Sequence, residues 1–273
     1  MEHRNRLKDK NKIVIKVGTS TLTHPNGKLN LMRIEKLVRV LADLNNKGKQ
    51  VILVSSGAIA AGAAKMGITK KPTDMSKKQA LAAIGQAELI RIYDKFFEEY
   101  SKTCAQILVT KDGIINPIRR TNAKNTINEL LKMGIIPVIN ENDTVSTHEI
   151  EFGDNDTLSA AVATMINADL LIILSDINGM YTSDPRKNEE ATLINEVFEF
   201  DNMIESYVFG TASAFGTGGM SSKIIAAKHC MEHGVDMIIT NGEDPSIIFD
   251  VLDGNEVGTL FTTKKSSCSS LIA

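Results

Sequence analysis

Ile13-Val14-Ile15-Lys16-Val17-Gly18-Thr19-Ser20 is the stretch that decides the fold. An apolar run about as long as a buried strand, broken only by Lys16, leads straight into a glycine-hydroxyl turn. Strands covered on one face alternate apolar and polar residues, whereas a continuously apolar run suits a strand covered on both faces, as in a parallel sheet. Comparable runs recur at Val51 to Val54, Ala105 to Val109, Ile135 to Ile139, Leu170 to Leu174 and Met237 to Ile239. Between them, Leu31 to Leu44, Gln79 to Tyr100, Asn122 to Leu131 and Thr157 to Ile166 carry helical spacing. This alternation predicts an α/β fold, an open, mostly parallel sheet sandwiched between helices. Asn188 to Gly219 breaks the rhythm and is expected to form an excursion with a mobile loop.

Composition narrows the function. With 273 residues, 42% of them hydrophobic, the chain can bury a large core as one domain or two closely joined lobes. Basic and acidic residues number 31 and 33, a formal net charge of −2, so nucleic acid is not expected as a partner. No apolar run reaches the length of a membrane span. The charged amino end lacks the apolar core of a secretory signal. Cys104, Cys230 and Cys268 are widely spaced and fit reduced thiols in a cytoplasmic protein. His229 and His233 stand four apart on an expected helix and in principle can chelate a metal. No third ligand is evident nearby in the sequence, and solvent-facing histidines are the simpler reading.

Polar residues cluster where the strands should end, which in an open α/β sheet is where ligands bind. They are Gly18-Thr19-Ser20, Ser55-Ser56-Gly57-Ala58, Asn140-Glu141-Asn142-Asp143-Thr144 and Ser175-Asp176. A further segment, Thr217-Gly218-Gly219-Met220-Ser221-Ser222-Lys223, joins adjacent glycines, hydroxyls and a lysine to the start of a helix. Glycines let backbone N–H groups approach an anion, and a helix N-terminus adds its dipole. The order is not that of a Walker A loop; a plain turn is the alternative. Lys16 is either an edge-strand lysine snorkelling to water or a cation reaching a phosphate from the end of the strand. With Lys223 it would flank a transferring phosphoryl group. Asp143, Asp154, Asp156 and Asp176 form the acidic set, in which close carboxylates call for cations among them. Asp156 or Thr157 could equally cap the following helix. An EF-hand is excluded by the missing glycine and glutamate, and no GxSxG elbow is present. A carboxylate acceptor, with a side-chain pKa of about 4.3, would need no general base.

The chain resembles the amino acid kinase family, and within it the glutamate 5-kinases, from about Lys12 to Phe261. The resemblance rests on Ile15-Lys16-Val17-Gly18-Thr19-Ser20, Val54-Ser55-Ser56-Gly57-Ala58-Ile59-Ala60-Ala61-Gly62, Asn140-Glu141-Asn142-Asp143 and Phe152-Gly153-Asp154-Asn155-Asp156. Ser175-Asp176-Ile177-Asn178-Gly179-Met180-Tyr181-Thr182-Ser183-Asp184-Pro185-Arg186 and Thr217 to Lys223 complete it. The lysine-glycine start and the Tyr181 to Arg186 segment are shared across the wider family; the serine-glycine-alanine, Asn140 to Asp143 and Gly153 to Asp156 segments point to the glutamate branch.

The resemblance implies an amino acid kinase fold over residues 12–261, amino-acid-binding over about 12–165 and nucleotide-binding over about 166–261, with tails at 1–11 and 262–273. It implies ATP-dependent phosphorylation of the L-glutamate side-chain carboxylate, the first step of proline synthesis, with Mg2+ arriving on the nucleotide and no separate protein-bound metal. Lys16 and Lys223 would stabilise the transferring group and Asp156 would hold both lysines. Ser175, Asp176 and Thr217, Gly218, Gly219, Met220, Ser221, Ser222 and Lys223 would bind ATP; Ser56, Asp143 and Asn155 would bind glutamate. The labile acyl phosphate makes a downstream glutamyl phosphate reductase an expected partner, and a homo-oligomer is expected. Many relatives carry a carboxy-terminal domain of the RNA-modifying-enzyme type, for which this chain is too short. Rival readings are a related kinase acting on N-acetylglutamate, aspartate, carbamate or a nucleoside monophosphate, and a non-catalytic sensor of ATP or an amino acid. Acceptor-side carboxylates suit the ammonium of a free amino acid, which N-acetylglutamate lacks.

Overall fold

The computed structural model describes residues 2–70, 72–145, 154–200 and 219–263. In chain order these form α1 (Glu2–Asn5) with a 3-10 turn (Arg6–Asp9), β1 (Lys12–Val17), α2 (Thr19–Leu22), α3 (Leu31–Asn46), β2 (Gln50–Ser55), α4 (Ala58–Lys65) and α5 (Met75–Glu99). There follow β3 (Cys104–Val109), α6 (Lys111–Ile115), α7 (Pro117–Lys132), β4 (Ile136–Glu141), α8 (Asn155–Met165) and β5 (Leu170–Ser175). The last elements are β6 (Glu196–Val197), α9 (Met220–Glu232), β7 (Asp236–Asn241), α10 (Ile247–Leu252) and β8 (Thr259–Phe261). Each apolar run of the sequence is a strand of one sheet, in the order β3-β4-β2-β1-β5-β7-β8-β6. Pairing is parallel except between β7 and β8. The short β6 and β8 carry too little apolar sequence to stand out from the loops around them.

The pleat sorts the strand residues onto two faces. Ile13, Ile15 and Val17 of β1 pack with Leu37 and Leu41 of α3 and Leu89, Tyr93 and Phe97 of α5. Val14 turns the other way, with Ile127 of α7, Leu158 and Val162 of α8 and Ala227 of α9. Lys16 shares the face of Val14, so its side chain is directed to the layer holding α8 and α9. β1 lies between β2 and β5 in parallel register, Val17 opposite both Ser55 and Leu174. An edge-strand lysine is thereby ruled out.

Topology sets where a ligand can bind. From β1 the chain crosses to β2 on one side; from β5 it passes to strands on the other. The carboxyl ends of β1 and β5 therefore flank a topological switch point, where crossovers diverge and leave a crevice. On the β2 side the floor is a tight helix crossing. A Cβ built on Gly85 would lie 1.7 Å from the Ala58 carbonyl oxygen, and one on Gly62 2.0 Å from that of Leu81. Only hydrogen at both positions lets α4 and α5 meet so closely.

Residues 2–9, expected as part of a tail, are instead folded in. Leu7 is fully buried and Arg4 is 1% exposed. The Arg4 guanidinium donates to the carbonyls of Asn195, Asn255, Val257 and Gly258 at 2.7–3.0 Å and pairs with Glu196. Charged composition suggested exposure; a dense set of backbone acceptors makes burial tolerable. Within the Asn188 to Gly219 excursion, β6 extends the sheet, and residues 201–218 lie outside the described residues.

Candidate active site at the carboxyl ends of β1 and β5

Asp154 opens α8 as its N-cap, its Oδ1 accepting from the N–H groups of Asp156 at 3.0 Å and Thr157 at 3.1 Å. Neither Asp156 nor Thr157 is the cap, contrary to the simpler expectation. Capping by Asp154 leaves Asp156 in the first turn, where the positive end of the helix dipole favours a carboxylate. Asp156 is 1% exposed and reaches the crevice. Lys16 Nζ stands 2.5 Å from its Oδ1, and Lys223 Nζ 3.0 Å from its Oδ2. Ser222 Oγ lies 3.1 Å from the same Oδ2.

Lysines 16 and 223 are only 7% and 6% exposed, so three charged groups share one nearly dry space. Burial resists ionisation of Asp156, but the charges of Lys16 and then Lys223, with their hydrogen bonds, prevail and hold its pKa below the ordinary carboxylate value. Among the described residues, one carboxylate stands between two ammonium groups, an excess of positive charge. A Cβ on Gly18 would sit 3.5 Å from Lys16 Nζ, so the turn after β1 passes directly beside the ammonium.

The nucleotide-side candidates gather around that cluster only in part. Gly219 is the N-cap of α9 without a side-chain cap bond, followed by Met220, Ser221, Ser222 and Lys223 in the first turns. Thr217 and Gly218 lie outside the described residues. Ser175 ends β5, 6% exposed, its Oγ donating to Asp176 Oδ1 at 3.2 Å. Asp176 itself is exposed, 3.8 Å from Arg186. Register places Ser175 beside Asn241 at the end of β7.

Acceptor-side candidates are joined through Asn155, the neighbour of Asp156. Its Nδ2 donates toward Ser56 Oγ and Asn140 Oδ1, each at 2.9 Å, and lies 3.2 Å from the Ser55 carbonyl. Ser56 N–H in turn donates to the Val17 carbonyl at 3.0 Å, tying the β2 turn to the end of β1. Gly57 follows at φ +100°, a left-handed conformation that lets the chain reverse into α4. Asp143 lies on the turn after β4, partly buried, close to Gln86 and Thr144 around a small recess. Sequence reasoning missed two supports. Gln86 of α5 accepts from Asn140 Nδ2 at 2.8 Å, and Tyr93 OH bonds Ser55 Oγ at 2.8 Å in the core. Both lie in helical stretches whose spacing reports burial, not partners; a polar Gln86 on an apolar face was the available signal.

A surface groove of about 450 Å³ lies at the opposite end of the strands, between Lys12, Gln50, Asn128 and Lys132. None of the candidate residues lines it, so cavity size does not mark the site; the switch point does. Among the described residues, no helix is long and apolar enough to cross a membrane.

The chain is similar to known proteins over nearly its whole length. A glutamate 5-kinase of Clostridium perfringens is 53% identical, over 96% of this chain and 99% of that protein. One from Listeria innocua is 50% identical over 97% and 98%. Another, from Caldanaerobacter subterraneus, is 52% identical over 95% of this chain but only 70% of its own length. Among solved structures, T. acidophilum isopentenyl phosphate kinase and Bacillus anthracis UMP kinase superpose with TM-scores of 0.63 at 17% identity, covering 92% and 93% of this chain and 99% and 96% of those chains. At that identity they establish the fold alone. The amino acid kinase family matches residues 11–241, and the chain belongs to that family.

Proposed function

We propose that the chain transfers the γ-phosphoryl group of ATP to the side-chain carboxylate of L-glutamate, giving L-glutamyl 5-phosphate for proline biosynthesis. Relatives bearing that activity in their names match it at 50–53% identity over nearly its whole length. One observation carries the mechanism: Asn155 and Asp156, consecutive residues, hold the two sides of the site together. Asp156 gathers Lys16 and Lys223; Asn155 positions Ser56 and Asn140.

In this reading Lys16 and Lys223 flank the transferring group, whose charge spreads over its equatorial oxygens in the transition state. The uncapped N–H groups at the start of α9, with Gly219, Met220, Ser221 and Ser222, face the phosphates, joined by Thr217 and Gly218. Ser175 and Asp176 serve the nucleoside end. Ser56, Asp143 and Asn155 hold glutamate, a carboxylate of Asp143 suiting its ammonium. Mg2+ arriving with ATP would neutralise phosphate charge; the net positive cluster and helix N-terminus fit such a polyphosphate. The glutamate carboxylate is already ionised near neutrality, so catalysis is positioning and charge stabilisation without a base. Residues 12–165 would form the amino-acid-binding part and 166–261 the nucleotide-binding part. A homo-oligomer in the cytoplasm, feeding a reductase that consumes the labile product, completes the proposal.

Hydroxylamine trapping of acyl phosphate, with purified protein, ATP, magnesium and a panel of amino acids, tests it. A hydroxamate is expected with L-glutamate. A signal with only aspartate or N-acetylglutamate would overturn the substrate, and no signal with any acceptor would favour the sensor. Lys223→Ala should abolish the signal with the fold intact.

A further inference from the structure

Near the far end of α9, His229 and His233 acquire a companion that linear reading did not supply, the Glu232 carboxylate. One ligand atom from each of the three lies within 4.8 Å of the others. The two imidazole rings stand 4.5 Å apart between centroids. Hydrogen bonds decide which nitrogen of each ring carries the lone pair. Thr164 Oγ1 has one proton, and it donates to the Ala161 carbonyl at 3.1 Å. With that proton on the Ala161 carbonyl, the hydroxyl accepts from His229 Nε2, 3.0 Å away. His229 Nε2 thus bears the hydrogen and Nδ1 the lone pair. His233 Nδ1 lies 2.8 Å from the His229 carbonyl, which only accepts, so Nδ1 bears the hydrogen and Nε2 the lone pair. Each ring donates one N–H to a protein oxygen, the arrangement that fixes tautomer and orientation in metal-ligating histidines.

We propose that His229, Glu232 and His233 form a surface site for a divalent transition ion of the zinc, cobalt or nickel class, with water in the remaining positions. Two imidazole nitrogens and one carboxylate oxygen match that class, whereas magnesium takes oxygen ligands in octahedral geometry. The site is separate from the phosphoryl-transfer cluster: from Lys223 to His229 the helix rises about 9 Å. Its anchor is nevertheless shared, because Thr164 belongs to α8, the helix that begins with Asn155 and Asp156. A bound ion would fix the His229 ring that this hydrogen bond ties to the end of α8.

Untagged protein, stripped of metal with a chelator and free of nucleotide, is titrated with Zn2+ by calorimetry and with Co2+ by visible absorption. One equivalent bound at micromolar affinity is expected, with Co2+ bands of a site containing nitrogen ligands. His233→Ala and Glu232→Gln, both at exposed positions, should weaken binding at least tenfold while circular dichroism stays unchanged. Thr164→Val keeps the side-chain shape but removes the acceptor, and should weaken binding about 10- to 100-fold. No binding at millimolar Zn2+, or undiminished binding in the His229→Ala/His233→Ala double variant, would overturn the proposal. Equal affinity in Thr164→Val would remove the orienting role of that hydroxyl.

Discussion

Replacing Asp156 by Asn keeps the shape of the side chain and deletes the charge that gathers Lys16 and Lys223. At an effective dielectric near 20, an ammonium 2.5 Å from a carboxylate oxygen is attracted by about 7 kcal/mol, and one at 3.0 Å by about 5–6 kcal/mol. Desolvation of the three groups and repulsion between the lysines offset most of this. Breaking a buried pair nevertheless strands the remaining charges, a loss of about 3–5 kcal/mol. Stability without ligand should fall by that amount in urea unfolding. Saturating MgATP supplies new anionic partners, so the nucleotide should raise the melting temperature more in Asp156→Asn than in the parent. Turnover responds differently. The lysines are no longer held where charge develops, and kcat should drop by about 10²–10³, the usual cost of losing one preorganised electrostatic group. KM for ATP should not rise, since both cations survive and are free to pair with the phosphates. The assay is coupled ADP release beside nucleotide-dependent thermal unfolding. Unchanged ligand-free stability, or a raised KM at constant kcat, would refute the account of Asp156 as the residue that holds both lysines.

Acid should reproduce part of this effect. The Asp156 pKa is depressed in the folded state, so its contribution is present above the unfolded value of about 3.9 and is lost as pH falls through the folded value. Acid unfolding of Asp156→Asn should therefore lack that component of the parent's curve. Arg4→Ala leaves the carbonyls of Val257 and Gly258 without this donor, and should cost about 1–3 kcal/mol in denaturant unfolding; a loss below about 0.5 kcal/mol would mean that this contact is dispensable. Gly85→Ala drives a methyl into the Ala58 carbonyl and should cost at least about 1–3 kcal/mol, read by thermal unfolding. Asp143→Ala should raise the glutamate KM with ATP affinity nearly constant; equal losses for both ligands would mean structural damage instead.

Those central strands were legible because burial on both faces leaves a continuous apolar signature. Ile13 to Val17 and Leu170 to Leu174 needed no tertiary knowledge. Lys16 stood out for the same reason in reverse, as a charge within such a run. Pairing across long separations left no local trace. That Gln86 supports Asn140, that Asn155 reaches Ser56, and that Asp154 rather than Asp156 caps α8 all depend on which helix faces which strand end. Arg4 was unreadable for a related reason. A charged residue near a chain end reads as solvated, and only the assembled carbonyls of residues 195, 255, 257 and 258 make its burial tolerable.

Those same carbonyls impose a timetable on synthesis. Arg4 leaves the ribosome long before one of its acceptors, Gly258, which lies 254 residues further along the chain. At about 5–20 residues per second, the wait is about 13–50 s. Throughout that interval the early segment has a cation and the apolar Leu7 with no native place to put them. Strands β1 and β2 can pair long before, but the segment ahead of them can dock only after β8 begins to arrive. Completion of this fold therefore waits on translation, and a chain stalled before residue 258 would leave the Arg4 guanidinium without its Gly258 acceptor.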